Sequence, residues 1–161
     1  MIRTRPSNVT ARTRNTLTIE ELQRRIGISP FQRWLGLQAE SIDANGVTLG
    51  LALRTELIGN PRTAALHGGI FGCLIDSAAS FSIIALHGGS NITVDMRVDF
   101  HRAVTLAPDN ETRIRAIGSI VRAGRTLATA DARIVDVQGN LLASGRGVFM
   151  RSEPELGTKK E

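Results

Sequence analysis

Residues 66–86 read LHGGIFGCLIDSAASFSIIAL, an apolar stretch opened by two glycines and broken by one charged side chain, Asp76. The stretch is read as a helix over 68–86. A helix that is apolar almost all round must be covered on most of its sides, so the rest of the chain has to wrap it. The N-terminus of a helix presents unpaired N–H groups. A lone carboxylate among apolar neighbours is costly unless it has a partner or a task. Gly68, Gly69 and Asp76 together therefore suggest a carbonyl-polarising site and a general base.

Most of the remaining text reads as strand. Leu37 to Ile42 and Val47 to Arg54 flank Ala44-Asn45-Gly46, and Asn-Gly is a strong hairpin signal. Ile58 to Thr63 is read as a loop. Ile92, Val94, Met96, Val98 and Phe100 alternate with Thr93, Asp95, Arg97 and Asp99, a half-buried strand pattern. Residues 111–121, 126–136 and 141–150 are three further strands, turned at Ala123-Gly124 and Gln138-Gly139-Asn140. Ahead of the sheet, Thr18 and Glu21 form a capping box, and Ile19, Leu22 and Ile26 recur at helical spacing up to Gly27. Pro30 to Leu35 makes a second short helix closed by Gly36. The expected class is α+β, an antiparallel sheet wrapped around a central helix with an N-terminal helical extension. Residues 1–16 form a basic arm, 17–151 the folded domain and 152–161 a polar tail.

A chain of 161 residues fits one domain. The single Cys73 excludes an internal disulfide and fits a reducing cytoplasm. The arm lacks the apolar core of a secretory signal, and no run is read as reaching the roughly 18 apolar residues of a membrane span. The net charge of +5 favours an anionic partner. Low aromatic content and the lack of a nucleic-acid-binding pattern exclude nucleic acid, and no membrane partner is expected. The three histidines show no metal-ligand spacing, so no metal is implied.

The HGG opening, the acid nine residues after the histidine, the strand Thr93-Val94-Asp95-Met96-Arg97-Val98-Asp99-Phe100 and the turn Arg122-Ala123-Gly124-Arg125 resemble the PaaI-type hotdog-fold thioesterases. The similarity runs from about Phe31 to Met150. The resemblance implies hydrolysis of an acyl-coenzyme A thioester with no separate cofactor, because coenzyme A is part of the substrate. It implies a backbone N–H of Gly68, with Gly69 beside it, on the thioester carbonyl. Asp76 would be base or nucleophile, and Thr93 would hold water. An Asn six residues before the His is common in the family. Here Pro61 stands at that place and Asn60 one residue earlier, so Asn60 would serve through a shifted loop. Arg102, Arg122 and Arg125 are the expected contacts for coenzyme A phosphates, with Cys73 and Ser77 near the substrate. The family's dimers imply a homodimer or homotetramer.

Gly69 and Asp76 lie on nearly one helical face, about 10 Å apart along the axis at 1.5 Å per residue. An oxyanion donor sits roughly 3 Å from the developing charge, and a base lies within hydrogen-bond reach. One chain cannot readily serve one carbonyl with both groups, so the site is expected to be shared between subunits. Gly69, Gly72, Cys73, Ala79 and Ser80 are read as a small-residue stripe around Asp76, with room for an acyl group or a close helix. His67 reads as a helix cap as readily as a catalytic group, and His87-Gly88-Gly89 as a helix stop. Cys73 has no histidine at helical spacing on its helix, and Ser77 has no nucleophile elbow. A hydratase would need a histidine where Phe81 stands. A non-catalytic acyl-CoA-binding or regulatory module of the same fold is the alternative.

Overall fold

The computed structural model describes residues 17–106 and 112–152. The basic arm 1–16 and residues 153–161 of the expected tail lie outside them. Helix α1 (Ile19–Ile26) and helix α2 (Pro30–Leu35) precede a sheet of β1 (Gln38–Ile42), β2 (Val47–Ala52), β5 (Ser90–Phe100), β6 (Arg113–Ala123), β7 (Leu127–Asp136) and β8 (Leu141–Ser152). Between β2 and the central helix α3 (Gly68–His87) stand a short 3-10 turn and two small strands, β3 (Ile58–Asn60) and β4 (Ala65–Leu66). The segment expected to be a loop at Ile58 to Thr63 is thus the first arm and turn of a small hairpin. It reads as a loop because three residues are too few to show a period. β8 also runs to Ser152, one residue into the expected tail, where its hydroxyl meets that of Ser90.

The six large strands form one antiparallel sheet in the order β1-β2-β6-β7-β8-β5. It curls around α3, twelve of whose twenty residues are buried, and this is the α+β architecture expected. α3 is long and apolar enough to cross a membrane by length and composition, which corrects the expectation that no run reaches that length. The helix instead spends its apolar surface on the sheet: Leu74, Ile75, Ala78, Ile83 and Ala85 are fully covered. Each fully buried Leu or Ile contributes about 1.5–3 kcal/mol.

Helix and sheet meet most closely at Gly118 on β6. A Cβ there would lie 2.1 Å from the Ala78 carbonyl oxygen and 2.4 Å from Ser82 Oγ. Ser82 donates to Ala78 O (2.7 Å) and accepts from the Val47 N–H (3.2 Å), tying α3 to β2. The β1–β2 hairpin forms where Asn-Gly predicts it, by another device. Asp43 Oδ1 accepts from the N–H groups of Asn45 and Gly46, and a Cβ on Gly46 would strike the Gly118 carbonyl at 2.2 Å. Glycine is needed there for close approach, since Gly46 does not adopt positive φ.

The N-terminal helices follow their sequence signals. Thr18 and Glu21 complete a capping box, and Leu22 and Ile26 are buried. Gln23 bridges to β1, donating to Leu37 O and accepting from Ala39 N–H. Gly36 closes α2 in the left-handed conformation, φ 80°.

Candidate active site

Asp76 lies half-buried midway along α3, and Thr93 on β5 donates its hydroxyl proton to Asp76 Oδ1 at 2.6 Å. Simple alternation along β5 would put Thr93 on the face away from α3. A β-bulge resolves the phase. Thr93 pairs with Phe149 and Asp95 with Val148, so Val94 is an extra residue without a partner. Before the bulge Asn91 and Thr93 face α3; after it Met96 and Val98 do. Ile92 and Val94 are turned out and exposed. The uniform half-buried alternation expected over 92–100 is corrected accordingly.

The i+4 row of α3 therefore meets β5 along its length. Ser80 Oγ donates to Asn91 Oδ1 (2.7 Å), and Asn91 Nδ2 returns a bond to Ser80 O (3.1 Å). Asp76 meets Thr93. A Cβ on Gly72 would be 4.0 Å from Met96 Cε, and one on Gly68 would be 3.4 Å from the Phe100 ring. Phe100 in turn stands edge-on to Phe71, centroids 6.1 Å apart. Asn91 escapes a reading of the sequence because its side of the strand, like that of Thr93, depends on the bulge, whereas Met96 and Phe100 keep the inward phase that alternation gives them.

The two glycines at the start of α3 differ. His67 is the N-cap, and its Nδ1 accepts from the Gly69 N–H at 2.9 Å. The Gly68 N–H has no hydrogen-bond partner among the described residues, as expected of the first turn of a helix. Asn60 Oδ1 accepts from the Arg62 N–H (3.1 Å) in a local turn.

Cys73 is half-buried on the same exposed strip of α3 as Gly69, Gly72, Asp76 and Ser80, whereas Ala79 points into the core. Burial, and secondarily the Asp76 charge, push the Cys73 thiol above its ordinary pKa. The thiolate is thereby disfavoured, which speaks against a cysteine nucleophile. Ser77 is buried and accepts from Gln32 Nε2 of α2 (3.4 Å), around the helix from the Thr93 side.

The three arginines do not gather in one place on the chain. Arg122 and Arg125 flank the β6–β7 turn, exposed and without hydrogen-bond or ion-pair partners among the described residues. Arg102 lies at the other end of the sheet. There its charge adds to the hydrogen bonds, chiefly from the Asn140 side chain, that hold the Asp136 carboxyl below its ordinary pKa. The ten residues of β7 that separate these ends span roughly 30 Å. The register places Thr93 and Asp76 toward the Arg122 end, and Gly68 with Phe100 toward the Arg102 end.

A cavity of about 600 Å³ opens on the sheet face away from α3, lined by Arg97, Asp99, Asp131, Arg133 and Arg146 among others. Its charges are largely paired: Arg146 grips Asp131 through two bonds and Arg97 holds Asp99. No α3 residue lines it. Asp76, Thr93 and the other expected site residues of α3 lie on the other face.

Comparison with known proteins bears on what that chemistry is. The sequence pattern of the thioesterase superfamily matches residues 64–143. A solved structure of a thioesterase-superfamily protein is 37% identical, covers 83% of this chain and 98% of its own, and superposes with a TM-score of 0.77. The chain belongs to the thioesterase superfamily. The Escherichia coli K12 medium/long-chain acyl-CoA thioesterase YigI is 26% identical over 140 residues, spanning 75% of this chain and 84% of that protein. The E. coli PaaI protein, from the phenylacetic acid degradation operon, shares the fold at 19% identity. Its TM-score is 0.68, with 82% of this chain and 94% of that one covered. The sheet around α3 is thus the hotdog fold. Hydrolysis of a thioester calls for a base and an oxyanion donor, and the half-buried acid and the free N–H at the start of α3 are groups of those two kinds.

Proposed function

We propose that this thioesterase hydrolyses acyl-coenzyme A at a site shared between two protomers. The observation that carries the reading is the separation within one chain. Asp76, held by Thr93, lies eight residues from the free Gly68 N–H, about 12 Å along the helix. Two α3 helices packed antiparallel would bring the Gly68 of one protomer to the Asp76 of the other. The arginines divide the same way. A composite site would combine Gly68, Phe100 and Arg102 from one chain with Asp76, Thr93, Arg122 and Arg125 from its partner.

In this site the Gly68 N–H, with the helix dipole behind it, stabilises the charge that develops on the thioester oxygen. Asp76 Oδ2 has no partner among the described residues. It removes a proton from water as the water oxygen bonds to the carbonyl carbon, or it attacks that carbon itself. On the first route the C–S bond breaks and protonated Asp76 returns its proton to the leaving coenzyme A sulfur, giving free acid and thiol. On the second the thiolate leaves and takes a proton from solvent, and water then hydrolyses the acyl–Asp76 anhydride to free acid. Thr93 has committed its one proton to Asp76, and its oxygen still accepts a bond from the water. His67 shapes the helix start by capping Gly69, Asn60 shapes the preceding hairpin, and Cys73 borders the substrate. YigI, named for medium and long acyl chains, supports the coenzyme A thioester as substrate class. A free cysteine as the sole thiol accords with the cytoplasm.

Release of thiol from acyl-CoAs of increasing chain length, wild type against Asp76→Asn, tests the reading. The variant is expected to lose about 10²–10⁴-fold in kcat. Wild-type protein that binds acyl-CoA without turning it over would overturn the catalytic reading in favour of a binding module.

A further inference from the structure

β5 holds a register that its own sequence argues against. Ile92, Val94, Met96, Val98 and Phe100 fall in one phase of the strand, and an unbroken ladder with β8 would turn all five toward α3. The bulge at Val94 breaks that phase. It leaves Ile92 63% and Val94 59% exposed and sends two polar side chains, Asn91 and Thr93, to the helix instead. A one-residue slip of 90–94 would remove the bulge, setting Val94 opposite Phe149 and Ile92 opposite Arg151. Both apolar side chains would then turn in, and Thr93 would turn out beside Met150. Burial of apolar surface favours that slip, so polar bonds have to oppose it.

Asn91 supplies two of them. Its Oδ1 accepts from Ser80 Oγ (2.7 Å) and its Nδ2 donates to Ser80 O (3.1 Å), so both halves of one amide close on one residue of α3. Ser80 stands four residues after Asp76 and Asn91 two before Thr93. The pair therefore lies one helical turn from the Thr93–Asp76 bond and joins the same two elements. In the slipped register Asn91 would face away from α3 and lose both bonds. The hydroxyls of Ser90 and Ser152 also meet at this end of β5, but they are exposed, where water replaces the bond, and they tie β5 to β8 rather than to the helix. We infer that Asn91 and Ser80 are positioning residues, a clasp that holds β5 in its bulged register and so keeps the Thr93 hydroxyl on Asp76. The inference rests on the catalytic reading of Asp76 and Thr93 proposed above; the clasp itself touches no reacting atom. A bulge beside an active site that re-aims one side chain, against the local hydrophobic pattern, is the kind of conflict that function maintains.

The register can be read with a thiol. In full-length protein carrying Cys73→Ser and Val94→Cys, the new sulfur is exposed in the bulged register and covered in the slipped one. Its alkylation by iodoacetamide therefore counts the bulged fraction. Asn91→Ala, added to that protein, removes both bonds of the clasp. It is expected to slow alkylation and to lower kcat by the same factor, about tenfold, with KM unchanged, because both rates scale with the competent fraction. Ser80→Thr keeps the hydroxyl and is expected to keep both rates. Ser80→Ala loses one bond and is expected to fall between; it carries the test if Asn91→Ala does not fold. A loss of kcat with alkylation unchanged overturns the inference, and so does a protein in which neither rate moves. Alkylation that slows while kcat holds overturns the part given to Thr93 in the reaction and leaves the clasp standing. Alkylation requires no turnover, so it decides the register even in a protein that only binds acyl-CoA.

Discussion

Thr93 and Asp76 form the shortest polar link between α3 and β5 described above, and it exists because one extra residue, Val94, turns the strand over. The acid was legible in the sequence as a single charge in an apolar run. Its partner's orientation was not, because period-two reasoning has no signal for a bulge. The glycines were legible as a pair but not as different from each other; only the His67 ring distinguishes them, by occupying the Gly69 N–H. Gly68→Pro isolates that difference. Proline is favoured at the first position of a helix, and His67 already has the extended backbone that precedes proline, φ −66° and ψ 130°. The variant is expected to keep its melting temperature and lose about 10²–10³-fold in kcat, the cost of one oxyanion donor. Cys73 offers a second test at this scale. Burial and then the Asp76 charge raise its pKa, so at pH 8 only a small share is thiolate and alkylation by iodoacetamide is slow. Asp76→Asn removes the smaller cause and lowers the pKa partway. Alkylation is expected to quicken and still trail a solvent-exposed cysteine.

At the scale of elements, the sheet closes on α3 through a few positions with no side chain. Gly118→Ala would push a Cβ to 2.1 Å from the Ala78 carbonyl, in a place where both backbones are fixed by their own ladders. The expected cost is about 1–3 kcal/mol or more, measured as a lower urea midpoint with an unchanged slope. The caps and hairpins were readable because each is local: Thr18 with Glu21, Pro30 at the start of α2, Gly36 after Leu35. The β3–β4 hairpin was not, because its two short strands are held by neighbours distant in sequence. Leu66 N–H donates to Val104 O, and His67 N–H to Leu57 O. Ala79 went astray for a related reason. Composition shows that it is small, but only the packed sheet decides that it points inward while Cys73 does not.

For the whole molecule, the question is which groups of which chain meet. If Gly68 and Asp76 of different protomers form each site, two inactive variants can repair one another. Gly68→Pro and Asp76→Ala, each inactive alone, are expected to recover about a quarter of wild-type activity when co-expressed in equal amounts. Half of randomly assembled dimers are mixed, and each mixed dimer has one intact site. Sedimentation of the active species checks the dimer directly, and active monomers would contradict the shared site. The edge of the sheet has a further consequence. Among the described residues β5 pairs only with β8, so its outer edge offers an open row of backbone donors and acceptors, with Ile92 and Val94 exposed beside it. Such an edge accepts any extended chain, including that of a misfolded neighbour. Asp95, Arg97 and Asp99 alternate along its outer face and act as gatekeepers, since a strand arriving in the wrong register sets like charges side by side. The same short run of charges that looks incidental to catalysis is thus placed to disfavour a wrongly registered strand at that edge.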